Sequence, residues 1–199
     1  AGNTLVAVGD ETGVTGVLEL RDRIRPDAKG IVARLHAQGV KTIVMLTGDN
    51  ERTARAVAAE VGIDEVRADL LPEDKVTAIE ELVATHDMVA MIGDGVNDAP
   101  AMARAHYAIA MGAVGSDAAI ETADIALMTD DLARVPWLIA HSRRTMTIIH
   151  QNIGISLATK ALFVGLTAFG MASMWGAIAA DVGVSLLVVA NALRLLNGH

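Results

Sequence analysis

Through the first 130 positions, short apolar runs alternate with stretches whose apolar residues recur at helical spacing. "TLVAV", "GVLELRD", "KTIVMLTGDN", "EVRADLL", "MVAMIGDG", "YAIAMG" and "DIALM" are apolar segments bounded by Gly, Asp and Asn, the pattern of strands ended by turns. In "RPDAKGIVARLHAQG", Pro26 stands near a helix start, Ile31, Val32 and Leu35 share one face, and Gly39 supplies a stop. "ERTARAVAAEVG" predicts a second helix closing on Gly62, a third follows Pro72, and "APAMARA" begins another. Strand–helix alternation of this kind predicts an α/β fold with a parallel sheet and helices on its faces. Ligands in such sheets gather beyond the carboxyl ends of the strands, where "TGDN" and "GDGVND" both fall.

After Asp131 the pattern changes. "LARVPWLIAHSRRTMTIIHQN" predicts an amphipathic helix, and two long apolar stretches follow, 153–170 and 174–193, split only by "GMAS". Each is about long enough to cross a bilayer as a helix, and the short connection predicts a tight hairpin. Arg143 and Arg144 precede the first stretch and Arg194 follows the second, so both ends are expected to face the cytoplasm. A buried helical pair in a soluble protein is the alternative.

Composition sharpens this contrast. Apolar residues make up 52% of the chain, aromatics only 3%, and the mean hydropathy is +0.41. From Gly154 onward the charged side chains are Lys160, Asp181 and Arg194 alone. The net charge of −8 therefore belongs to the polar part, and no basic cluster is available to follow a nucleic-acid backbone. With no cysteine, disulfides and thiolate metal sites are excluded. The six histidines form no ligand pair, and the "NGH" end reads as a tail. The start, "AGNTLVAVGDETG", has neither an initiator Met nor the basic-then-apolar order of a signal peptide, and is expected to be a processed or partial product.

"MIGDGVNDAPAM" places Asp94, Asn97 and Asp98 close together after an apolar run, a crowding of like charge that a cation would relieve. Thr47 and Asp49 in "TGDN" and Lys75 in "PEDK" stand at comparable loop positions. A hydroxyl and an ammonium can hold phosphoryl oxygens, and carboxylates can hold Mg²⁺, so the set points to phosphoryl chemistry. Glycines beside Asp94 permit a tight turn that presents the carboxylate. The competing readings are solvated turns, a supporting role for Asp98 behind the site, and helix capping before Glu51 by Asp49 and Asn50.

"MLTGDN", "LLPEDKV" and "MIGDGVNDAPAM", in this order and spacing, resemble the phosphorylation domain of P-type cation-transporting ATPases, which has the haloacid-dehalogenase-like fold. The resemblance implies a catalytic set of Thr47, Gly48, Asp49, Lys75 and Asn97, with Thr47 and Lys75 contacting an aspartyl phosphate. It implies Mg²⁺ on Asp94 and Asp98, and ATP as the substrate of the complete protein. "QNIGISLATKALF" and "AADVGVSLLVVANALRLL" resemble the last two helices of the zinc/cadmium/lead exporters, where the acid is a metal ligand and the lysine its counter-ion. Asp181 would then bind the transported metal, against a copper subclass, with Lys160 as counter-ion. A structural Lys160–Asp181 ion pair is the alternative, since an ionisable residue within an apolar helix needs a partner.

By the same resemblance, residues 1–16 are a remnant of the nucleotide-binding domain and 17–135 the phosphorylation domain. Residues 136–152 are an amphipathic linker helix, and 153–199 a transmembrane hairpin. The family's DKTGT segment, which carries the nucleophilic Asp, is absent from these 199 residues, so the isolated chain is expected to be inactive. The expectation is the C-terminal part of an ATP-driven Zn²⁺/Cd²⁺/Pb²⁺ exporter in the cell membrane. It would be multi-pass, with a cytoplasmic phosphorylation domain, and would need the remainder of the transporter, the lipid bilayer and the metal ion as partners. Two alternatives stay open: a membrane-anchored pseudoenzyme regulating a partner transporter, and a soluble haloacid-dehalogenase-like phosphatase.

Overall fold

The computed structural model describes residues 4–10, 13–20, 24–94, 97–112, 121, 123–171 and 173–196. Part of the "GDETG" turn, Gly95 and Val96 of "GDGVND", and the 197–199 tail lie outside the described residues. The chain divides into two compact units, Ala1–Pro136 and Trp137–His199.

In the first unit, β1 (Thr4–Asp10) and β2 (Gly13–Leu20) form an antiparallel hairpin, from Thr4 opposite Leu20 to Asp10 opposite Gly13. The register shifts between Val8 and Gly9, and the Thr15 hydroxyl donates to the Val8 carbonyl at this irregularity. β2 runs without a break through the boundary placed at 16/17. α1 (Ala28–Ala37) buries Ile31, Val32 and Leu35. β3 (Val44–Leu46) leads to α2 (Glu51–Val61), which closes at Gly62 with φ +88°, a conformation open to glycine at little cost. β4 (Glu65–Arg67) pairs in parallel with β3. Glu65 and Glu81 hold the Arg67 guanidinium in hydrogen-bonded ion pairs and raise its pKa, Glu65 most strongly. α3 (Pro72–Thr85), β5 (Ala90–Gly93), the short α4 (Ala99–Met102), β6 (Tyr107–Met111) and β7 (Ile125–Leu127) follow, and β5–β6–β7 form a parallel sheet.

The parallel strands thus fall into two sheets, β3–β4 and β5–β6–β7, with no ladder between them among the described residues. They nevertheless share a core. Ile79 and Leu82 of α3 meet Met91, Ala101, Met102, Ala108 and Ala110, and Val44 and Leu46 of β3 pack against this cluster. Burial of each large side chain there contributes about 1.5–3 kcal/mol.

The second unit is a helical hairpin. α5 (Arg134–Ala168, 35 residues) begins just before the division at Pro136 and continues without interruption through 152/153, so linker helix and first apolar arm are one element. After a turn at 169–170, the Ser173 hydroxyl accepts from the Gly176 N–H and caps α6 (Met174–Leu193). Two membrane-length helices were expected; among the described residues only α6 is long and apolar enough to cross a membrane. α5 falls short because it ends at Ala168, so that a membrane-length stretch of it must take in the polar Gln151 and Asn152. None of the side chains of α6 is buried.

Candidate functional site

Lys75 and Asp98, candidate site residues of the first unit, are placed by helix packing. Pro72 opens α3, where its missing N–H is no loss, and the Asp74 carboxylate accepts from the Leu71 N–H at 2.9 Å. Ala78, Ile79 and Leu82 form the buried face of α3. Lys75 lies four residues before Ile79 and seven before Leu82, so it rides on that same face. α4 presents Ala101 and Met102 to the same core, and Asp98 immediately precedes it, its carbonyl accepting from the Met102 N–H at 2.8 Å. Apolar packing of the two helices brings Lys75 Nζ to 2.7 Å from Asp98 Oδ1, with side chains only 20% and 19% exposed. Shielding from water strengthens such a pair.

Gly93, at the end of β5, is part of this arrangement. A Cβ there would stand 3.0 Å from both Cβ and Oδ2 of Asp98 and 3.1 Å from the Met102 sulfur. An alanine there would have to press the Asp98 and Met102 side chains back by a few tenths of an ångström.

The "TGDN" loop is organised separately. The Thr47 hydroxyl donates to Asp49 Oδ2 at 3.0 Å and accepts from the Asp49 N–H at 3.1 Å. Asn50 caps α2, its side-chain oxygen accepting from the Thr53 N–H at 3.0 Å. The capping reading therefore divides: Asn50 takes it, while the Asp49 carboxylate turns to Thr47. Gly48 is tightly placed, since a Cβ would lie 3.3 Å from the Leu70 carbonyl. That loop is tied to the one after β4 by Leu70 N–H donating to the Thr47 carbonyl and Asp69 N–H to the Asp49 carbonyl. Asp69, which the sequence reading did not single out, has φ +55° and accepts from the Glu51 N–H through its carboxylate at 3.2 Å. A non-glycine residue held in that region marks a constrained loop; from sequence alone it was one more acid between strand and helix.

Asp94 is exposed at the end of β5, and Asn97 is exposed just before Asp98. Among the described residues there is no group of three His, Cys, Asp or Glu side chains able to hold a metal ion. Asp94 and Asp98 form a smaller set, one exposed carboxylate and one engaged with lysine. That suits Mg²⁺, which takes one or two carboxylates and completes its octahedron with water and phosphate oxygens; a tighter ion such as Zn²⁺ would need more protein ligands.

In the second unit, Lys160 of α5 and Asp181 of α6 line one polar cavity of about 120 Å³ with Ser156, Thr159, Val184 and Ser185. Although the two charges share this cavity, no ion pair joins them among the described residues. Three hydroxyls line the space around them.

Comparison with known proteins adds four findings. A family model for haloacid dehalogenase-like hydrolases matches residues 2–106. A probable cadmium-transporting ATPase of Staphylococcus aureus is 45% identical over 195 residues, 98% of this chain and 24% of that protein. A zinc/cadmium/lead-transporting P-type ATPase of Escherichia coli (strain K12) is 49% identical over 196 residues, 98% of this chain and 26% of that protein. The crystal structure of a zinc-transporting PIB-type ATPase in an E2.Pi state superposes with a TM-score of 0.83 at 47% identity, covering 98% of this chain and 32% of that one. The chain thus spans about a quarter of the length of the curated relatives it matches.

Proposed function

The chain belongs to the haloacid dehalogenase-like hydrolases, and on that footing we propose that it is the C-terminal portion of a heavy-metal-transporting P-type ATPase, an ATP-driven exporter of zinc, cadmium or lead, a reading that its similarity to such transporters supports. The first unit would serve as the cytoplasmic phosphorylation domain. The hairpin would lie in the cell membrane, with α6 as one span and the apolar arm of α5 as its companion.

The observation that carries this reading is the Lys75–Asp98 pair at 2.7 Å beside the end of β5. An ammonium held on a packed helix face is a fixed positive group for phosphoryl oxygens, and the Thr47 hydroxyl is a second donor on a constrained loop. Asp98 neutralises Lys75 in the absence of phosphate and would exchange that role with an arriving phosphoryl group. Asp94 and a released Asp98 would hold Mg²⁺, which supplies charge neutralisation on the phosphoryl oxygens. The nucleophilic carboxylate would come from a segment outside these 199 residues. The separation of β3 from β5 over a shared core supports this, because each strand keeps one ladder edge that a further strand can fill. In the hairpin, Asp181 would ligate the transported ion and Lys160 would act as the counter-charge that favours its release.

Phosphoenzyme formation from ATP in the intact transporter tests the reading. Lys75→Ala should lower it by about 10²–10³-fold, the range for losing one preorganised charge donor. The 199-residue chain alone should hydrolyse neither ATP nor p-nitrophenyl phosphate. Wild-type phosphorylation in Lys75→Ala, or turnover by the isolated chain that Asp94→Ala abolishes, would overturn it. At the metal site, Asp181→Asn should end zinc-stimulated hydrolysis; export at the wild-type rate would make Asp181 structural.

A further inference from the structure

The open end of the hairpin, opposite the turn at 169–170, carries a polar cluster set apart from the Lys160–Asp181 cavity. Asn191 of α6 donates through its amide to Gln151 and Asn152 of α5, at 3.3 and 2.9 Å. The Arg194 guanidinium donates to the Asn191 side-chain oxygen at 3.0 Å. Arg144 reaches across from α5 and donates to the Arg194 carbonyl at 2.8 Å. A cation on the last carbonyls of a helix is electrostatically favoured, so Arg144 closes the foot of the hairpin. Arg143, exposed, stands next to it.

Three guanidinium groups therefore stand at the foot of the hairpin. Beyond Trp137 the only acidic side chain is Asp181, which lies in the Lys160 cavity. Among the described residues, none of Arg143, Arg144 and Arg194 has a carboxylate partner. Arg144 and Arg194 each commit one terminal nitrogen to the clamp. The Nε and the other terminal nitrogen of each remain as donors, a fork that matches phosphate oxygens.

Depth identifies the phosphate. Arg144 stands 24 residues before Ala168, the last residue of α5, and Arg194 stands 20 after Met174, the first of α6. At about 1.5 Å per residue that is roughly 36 and 30 Å of helix, which puts the pair at the far edge of a hydrocarbon core of about 30 Å, where the headgroup layer begins. Resting on the membrane reading above, we propose that Arg144 and Arg194, flanked by Arg143, bind the phosphate of an anionic lipid headgroup at the foot of the hairpin. The clamp orients two cations at a depth where a bilayer offers phosphate, while the one acidic side chain of this unit, Asp181, lies in the Lys160 cavity.

Native mass spectrometry of the full chain in detergent, titrated with phosphatidylglycerol or phosphatidylcholine, tests the site. The wild type should retain phosphatidylglycerol in preference to phosphatidylcholine. Arg194→Gln leaves the Arg194 carbonyl, and so the Arg144 clamp, in place, and should weaken that retention by about fivefold. Arg144→Gln combined with Arg194→Gln should weaken it by about tenfold or more, while Arg104→Gln in the first unit should leave it unchanged. Circular dichroism confirms that the variants keep their helix content. Added inorganic phosphate should not displace the lipid; if it does, the site recognises a free anion and the headgroup assignment fails. Equal retention of the two lipids by the wild type, or full retention by the double variant, also overturns the proposal. Flotation with phosphatidylcholine vesicles separates this from the reading it rests on. A chain that floats yet shows no anionic preference loses the headgroup site alone, whereas a chain that never floats loses the membrane reading, and the site with it.

Discussion

The two units treat apolar and charged side chains in opposite ways. Before Pro136, the core is built from buried Ile, Leu, Met and Ala, and charged groups meet at the surface in ion pairs such as Arg25–Asp130 and Arg67–Glu81. Beyond Trp137, large apolar side chains such as Val164, Trp175 and Leu186 point outward, Ile148 is the one buried residue among those described, and the bonds between the helices are made by Asn, Gln and Arg. The first unit is organised by expelling apolar groups from water. In the second, the helices are joined by polar bonds while their large apolar side chains stay exposed; polar bonds between helices count for most where the surroundings are apolar, as the proposed membrane setting would make them. A substitution should therefore act differently according to the unit it falls in.

Met102→Ala should have the largest effect. Met102 is 0% exposed and joins α4 to α3 and β6, so truncation should cost about 2–5 kcal/mol. Urea unfolding of the first unit measures this, and a loss under 1 kcal/mol would mean that its core does not organise it. Gly93→Ala should cost about 1–3 kcal/mol, because the added methyl must displace Asp98 and Met102. It should also weaken phosphate binding, whereas a variant as stable as the wild type would show that the strand end has room to spare. Next, Asn50→Ala should cost about 1 kcal/mol as a lost cap, and Asp49→Ala only a few tenths. Equal losses in thermal unfolding would remove the distinction between cap and site residue. The smallest effect belongs to the hairpin: Leu186→Ala, outward-facing, should change stability in detergent by no more than about 0.5 kcal/mol. A loss comparable to that of Met102→Ala would place Leu186 in a packed interface and break the comparison.

Much of this was legible in the sequence, for reasons that differ by residue. Strand and helix positions in the first unit follow from apolar period and from Pro and Gly punctuation, as with the helix from Pro72 and the stop at Gly62. The roles proposed for Thr47, Lys75, Asp94 and Asp98 rest on what phosphoryl groups and Mg²⁺ accept as partners, a property of side-chain type that a sequence displays. The hairpin is also local, since two apolar stretches with a short connection have few other ways to fold.

What the sequence left open are relations between residues distant along the chain. That Lys75 meets Asp98, 23 positions away, depends on α3 and α4 burying Ile79 and Met102 against one core. That Asn50 rather than Asp49 caps α2 depends on which side chain the loop geometry leaves for the Thr53 N–H. Asp69 matters only because its strained backbone brings a carboxylate back to Glu51. The Arg144 clamp on Arg194 spans 50 positions and no periodicity announces it. Residue type and period determine which elements form and which chemistry they can host, because those are properties of single side chains and near neighbours. Which donor faces which acceptor is decided by packing, since a contact between distant segments exists only once the elements carrying them are in place.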